Sequence, residues 1–240
     1  MHQVFSDFCE LAALTISNQV DQQQYQAREA RYMQIVKGYD TQEVALFPKL
    51  LGHLKMWLRE GMDDCLGKLF MQLELGNHWK GQFFTPYELA KLMARMTLVD
   101  VDQLVEKKGF ITVQEPCVGA GAMVIAMAEA MQERGLSYRH SMHVTAVDVD
   151  ITAVHMAYVQ LSLLDVPAIV IHGNSLAMTR WSHWLTPAHQ VHGWSYKLDK
   201  RTGVDDAAAG PPATQKGGPS GDPQPEVVDI CAPSRGQQLD

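Results

Sequence analysis

From the N-terminus to about residue 80, apolar positions recur at the three- and four-residue intervals of helices. The stretch "TQEVALFPKLLGHLKMWLREG" sets Val44, Phe47, Leu51, Leu54 and Leu58 on one helical face. Pro48 lies near its start, where a first turn tolerates a missing N–H. "QQQYQAREARYMQIVKGY" is rich in good helix formers. "DDCLGKLFMQLELGN" predicts a short helix started by Asp63 or Asp64 and ended near Gly76 and Asn77. A new pattern begins at Gly81. In "GQFFTPYELAKLMARM", Thr85 falls at an N-cap, Pro86 at the first helical position and Glu88 three residues after the cap, which spells a capping box. Leu89, Leu92, Met93 and Met96 then form one apolar stripe.

Between residues 110 and 173 the period alternates. "FITVQ", "HVTAVD" (143–148) and "AIVIHG" (168–173) read as strands, and the segments 120–134 and 151–164 between them read as helices. Buried strands joined by helical crossovers predict a βαβαβ unit with a parallel sheet. Beyond residue 200 the apolar pattern fades into Gly, Pro, Ala, Asp and Gln, the composition of an unstructured tail. The expected organisation is a helical N-terminal region (1–80), a shortened α/β core (81–199) and a tail (200–240).

Composition narrows the function classes. The chain of 240 residues is 46% hydrophobic and 20% charged, as a globular protein is. Its net charge of −7 is spread out, with acids outnumbering bases in 1–80, 81–200 and 201–240 alike. No stretch makes the basic face of an autonomous nucleic-acid binder. Cys9, Cys65, Cys117 and Cys231 form no CxxC pair, which suits a reducing cytoplasm better than a disulfide framework or a zinc site. No apolar run approaches the roughly 18 residues of a membrane helix, and "MHQVFSDFCE" has no signal-peptide pattern. A cytoplasmic location is expected.

The candidate chemistry lies in "QEPCVGAGA" (114–122), the loop between the first strand and its helix. Ligands of open α/β sheets bind outside the carboxyl ends of the strands, which this loop faces. Gly119 and Gly121 permit positive φ and close backbone approach, and the next helix offers unpaired N–H groups. Asp148 ends the second strand, where a carboxylate accepts hydrogen bonds from both ribose hydroxyls of an adenosine. No Lys followed by Ser or Thr stands after Gly121 as a P-loop requires. A dinucleotide fingerprint needs a third glycine, where this chain has Val124. Glu115, with Pro116 beside it, would repel a pyrophosphate. A ligand joining a cationic amine to an adenosine fits better, and S-adenosylmethionine is such a ligand.

The segments "GQFFTP", "EPCVGAGA", "AVDVD" and "HGNSL", in that order, resemble the N6-adenine DNA methyltransferases of the type I modification-subunit group. The resemblance covers roughly residues 70 to 180 and implies a Rossmann-like S-adenosylmethionine-dependent core. By position it implies that Phe83, Thr85 and Pro86 flank the cofactor and that Glu115, followed by Pro116, faces its methionine amine. Gly119 and Gly121 would give the close backbone approach, Asp148 would bind the ribose, and Asn174 would stand near the adenine, where the family usually has an acid.

The same resemblance exposes a departure. The family's acceptor motif, [DN]PP[YFW], is absent: none of Asn18, Asn77 and Asn174 precedes a proline, and Pro211-Pro212 follows a glycine. No catalytic residue can therefore be named. The segment "AMTRWSHWLTPAHQVHGWSYKLDK" that follows instead carries Trp181, Trp184, Trp194 and Tyr196, able to stack on a base or to pack a terminal element on the sheet. Its His183, His189 and His192 match no common zinc spacing. The expected function is adenine-N6 methylation of DNA of restriction-modification type, with a partner subunit needed for target recognition. The alternative is a catalytically silent S-adenosylmethionine-binding protein or accessory subunit of a modification or anti-restriction assembly.

Overall fold

The computed structural model describes residues 1–73, 84–208 and 228–229. Three parallel strands form the centre: β1 (Ile111–Glu115), β2 (Met142–Asp148) and β3 (Ala168–Asn174). Their order is set by crossover helices. α8 (Ala122–Glu133) with the short α9 (Tyr138–Ser141) links β1 to β2, and α10 (Ile151–Leu163) links β2 to β3. The register pairs Val113 with Val144 and Val144 in turn with Ala168. Both helices are apolar nearly all round, and Val124, Ile125, Met127, Met131, Met156 and Leu161 are buried. Such helices belong to an interior. The expected parallel α/β core is observed, and its strand ends bring Glu115, Asp148 and Asn174 to one edge of the sheet.

The N-terminal helices are α1 (His2–Ser17), α2 (Tyr25–Val36), α3 (Thr41–Val44), α4 (Leu46–Glu60) and α5 (Cys65–Gln72). α1 lies against α10, and Phe5, Phe8, Leu11 and Leu14 join the same hydrophobic core as the sheet. On α4, Phe47, Leu54 and Leu58 are buried as the spacing predicts. Asp64 caps α5 by accepting the Gly67 N–H at 2.9 Å. That helix stops at Gln72, short of the expected end, and Gly76 and Asn77 lie outside the described residues.

α6 (Tyr87–Thr97) corrects two expectations. Its N-cap is Pro86, with no side-chain cap hydrogen bond, so Thr85 sits one residue too early for a capping box. The Pro86 carbonyl accepts the Leu89 and Ala90 N–H groups instead, at 3.0 and 3.1 Å. The stripe Leu89, Leu92, Met93 and Met96 is exposed, while Tyr87, Ala90 and Ala94 are buried. The small alanines let α6 approach α8, and polar pairs lock that face: the Tyr87 hydroxyl donates to Glu129 (2.8 Å), and Lys91 and Arg95 pair with Glu129 and Glu133. α7 (Val101–Lys108) then leads into β1.

After β3 the chain reverses into an antiparallel strand, β4 (Thr179–Leu185), which the residue pattern does not announce. The reversal works through a register shift at His172 and Gly173, where a Cβ on Gly173 would lie 2.4 Å from the Thr179 carbonyl oxygen. Only glycine fits there. α11 (Pro187–Val191) and α12 (Trp194–Ala208) follow, so helix continues past residue 200, and β5 (Val228–Asp229) pairs in parallel with β1. The strand order is β4-β3-β2-β1-β5. Trp184 and Trp194 are buried, packing this terminal element on the sheet, whereas Trp181 is half exposed.

A buried cation ties β4 to the helical region. Arg28 of α2 pairs with Asp21 (2.8 Å), donates to the Ser17 hydroxyl and to the His183 carbonyl (2.8 Å), and stacks 4.1 Å from the Trp184 ring. Both charged groups are under a tenth exposed. Arg28→Met strands the Asp21 carboxylate and is expected to lower the unfolding free energy by about 3–5 kcal/mol. Adding Asp21→Leu should recover most of that loss. Urea denaturation of the wild type and both variants checks the pair, and an unchanged single variant would refute this account of the anchor.

Candidate functional site: the glycine loop at the strand ends

The loop from Pro116 to Gly121 crosses the carboxyl ends of β1 and β2. Gly119 (φ 56°) and Gly121 (φ 105°) both hold left-handed backbone, and Gly121 is the N-cap of α8. At either position an L side chain would cost roughly 1–2 kcal/mol. At Gly119 a Cβ would also come within 2.9 Å of Phe84 Cδ1, so the aromatic ring before α6 lies directly on this glycine. Phe84 packs in turn on Phe70 of α5, ring centroids 5.1 Å apart.

Fixed partners hold the loop from several sides. The Asp148 carboxylate accepts the Gly119 N–H (2.8 Å) with one oxygen and the Asp150 N–H (2.9 Å) with the other. The Val118 N–H donates to the Val147 carbonyl at 2.9 Å. The Ser175 hydroxyl donates to the Pro116 carbonyl. Behind the loop, Gln160 of α10 is wholly buried. Its amide donates to the Ala120 carbonyl and to Asp64, each at 2.8 Å, and its oxygen accepts the Leu66 N–H at 3.0 Å. α5 of the helical region is thus wired to the peptide between the two glycines.

The electrostatics favour a cation. Glu115 is buried at the end of β1, where it accepts the Cys117 N–H at 3.1 Å. The Cys117 thiol is pushed up from its ordinary pKa by partial burial and then by the negative charges of Asp148 and Glu115. Burial also raises the Asp148 pKa, while the N–H groups of Asp150 and Gly119 work against that shift. A carboxylate offers about four acceptor positions, so the N–H groups of Gly119, Asp150 and Val149 leave it room for a further hydroxyl donor.

The sequence-predicted residues fall unevenly around this loop. Glu115, Pro116, Gly119, Gly121 and Asp148 converge. Asn174 ends β3 nearby, and its side-chain oxygen accepts the Ala177 N–H (3.0 Å) to close its own turn. Thr85 and Pro86 are exposed at the start of α6, and Phe83 lies outside the described residues. Sequence reasoning missed Gln160, Asp64, Ser175 and the contact of Phe84 with Gly119. A glutamine inside the otherwise apolar "MAYVQLSLL" is the one local signal that a buried polar partner awaits.

Residues 69–213, more than half of the chain, match the family model for N-6 DNA methylase. The chain belongs to the N-6 DNA methylase family. No curated protein sequence matches it. One similar solved structure, from Listeria monocytogenes, is described as a class I S-adenosylmethionine-dependent methyltransferase. It is 14% identical with a TM-score of 0.35, and the alignment covers 75% of this chain and 56% of that one. This chain therefore spans little more than half of that protein's length. S-adenosylmethionine is the cofactor that membership implies. The residues present fit it: left-handed glycines at a helix N-terminus, a carboxylate with spare acceptor capacity, and an electronegative loop for a cationic ligand.

The buried amide makes the loop's geometry testable. Gln160→Met keeps the volume but strands the Ala120 carbonyl and the Leu66 N–H. Leaving such groups unmade costs about 1–3 kcal/mol. Amide exchange at Gly119 and Gly121 is expected to accelerate in this variant, read by hydrogen-exchange mass spectrometry. Unchanged exchange would show that Gln160 does not hold the loop.

Proposed function

We propose that this chain binds S-adenosylmethionine at the carboxyl ends of β1, β2 and β3 and serves adenine-N6 methylation of DNA in an assembly of restriction-modification type. The observation that supports it is the convergence of Glu115, the two left-handed glycines and Asp148 on one loop held rigid from behind. When bound, the cofactor supplies an electrophilic methyl group on a cationic sulfonium. In this reading Asp148 accepts the ribose hydroxyls and Glu115 faces the methionine amine beyond the Pro116 turn. Gly119 and Gly121 let the ligand approach backbone, and Asn174 stands toward the adenine. Phe83, Thr85 and Pro86 flank the cofactor beside Phe84. The chain's part in transfer is orientation, which by itself lowers a barrier by several kcal/mol. The acceptor motif is absent, so no residue is given the role of holding the target amine. A partner subunit supplies target recognition.

A second reading is an S-adenosylmethionine-binding accessory subunit with no transferase activity. The missing [DN]PP[YFW] tetrapeptide supports it, as does Asn174, whose oxygen is engaged in its own turn. Incubating the chain with duplex DNA and methyl-labelled cofactor, with and without a co-purifying subunit, separates the two. The first reading expects labelled N6-methyladenine in digested DNA. Cofactor binding with no label in any adenine-containing DNA, subunit present, would replace it with the second.

A further inference from the structure

A cleft of about 460 Å³ lies where β3 and β4 meet α11 and α12. Ile169 and Ile171 of β3, Trp181 and Leu185 of β4 and Leu198 of α12 supply its apolar lining, with the charged Arg180 and Asp199 at its wall and His189 and Ser195 among its polar groups. These two side chains are joined. The His189 Nε2 lies 3.0 Å from the Ser195 Oγ, and its Nδ1 lies 2.8 Å from Nε2 of His143 on β2. Both imidazoles are nearly wholly buried, while Ser195 is exposed at the cleft. Trp194 fixes the geometry: its wholly buried ring packs edge-on to Phe110 (5.0 Å) and beside His143 (5.2 Å), and its indole N–H donates to the Arg139 carbonyl (3.1 Å). The residue after it is therefore delivered to His189.

A hydroxyl within hydrogen-bond reach of an imidazole that a third group orients is the arrangement of an activated nucleophile. From this geometry we infer that Ser195, His189 and His143 form an acyl-transfer site that takes small esters with an apolar acyl group. Burial drives the His143 pKa down to about 3 and lowers that of His189, so both rings are neutral at pH 7. In the productive tautomer the His189 Nδ1–H donates to the His143 Nε2, leaving the His189 Nε2 to accept the serine proton. The acyl chain lies on Ile169, Ile171 and Leu185. Ser195 Oγ attacks the ester carbonyl carbon as its proton passes to the His189 Nε2. The tetrahedral adduct collapses, the bond to the alcohol oxygen breaks, and the alcohol leaves with that proton. Water, deprotonated by the same nitrogen, then attacks the acyl-serine; the bond to the Ser195 Oγ breaks, that oxygen takes the proton back from His189, and the carboxylic acid is released. Ser195 stands in the first turn of α12, ahead of the bond from the Lys197 N–H to the Gly193 carbonyl (3.3 Å). N–H groups of that turn have no intrahelical acceptor and are the donors available to the oxyanion.

The test pairs a fluorophosphonate probe with turnover of 4-nitrophenyl butyrate by the full chain. Expected are covalent labelling mapped to Ser195 and hydrolysis that falls at least about a hundredfold in Ser195→Ala. His189→Gln should fall comparably. His143→Gln should lower kcat with little change in KM, as an orienting group would. Circular dichroism shows whether the two histidine variants fold. Ser195→Ala, altered at an exposed position, decides the matter even if they do not. Labelling at another residue, or equal turnover by Ser195→Ala, overturns the proposal.

Discussion

A backbone loop that a ligand approaches closely has to be held by fixed partners on its other sides. Here that constraint falls on the peptide between Gly119 and Gly121. Its carbonyl is gripped from behind by Gln160, while Asp148 takes the Gly119 N–H from the front. Left-handed glycine is the conformation with most freedom to lose, so external partners decide whether the loop is set before a ligand arrives. A loop set in advance spends less of its binding energy on ordering.

The same network explains why a helical region precedes the sheet. Asp64 caps α5, accepts from Gln160 and is buried, which raises its pKa despite those hydrogen bonds. Phe70 on the same helix supports Phe84, which covers Gly119. α5 therefore buttresses the glycine loop by a polar route and an aromatic one. Arg28, set between Asp21 and Trp184, ties α2 to the far edge of the sheet in the same way. The helical region is part of the scaffold on which the site stands.

The three parallel strands, their crossover helices and the loop between them were legible in the chain because each has a single strong period and a clear break. β4 was not, since residues 179–183 are all exposed and carry no alternation to read. α6 misled for the opposite reason. Its large apolar residues look like a core face, yet the contact with α8 is made by Tyr87, Ala90 and Ala94, where small side chains allow close approach. Gln160 was invisible as a site residue because Asp64 lies 96 positions away and only the fold brings the two together. Glu115 and Asp148 stood out because they end strands, and Gly119 and Gly121 because they lie in the loop between β1 and α8, where the α/β architecture itself points.

The central claim is that the loop and Asp148 form a preorganised S-adenosylmethionine site. Calorimetric titration of the cofactor into the purified chain, beside Asp148→Ala, tests it most directly. The account predicts binding that the substitution weakens by about tenfold or more, about 1.4 kcal/mol. No binding to the wild-type chain, or equal affinity for the variant, would contradict it.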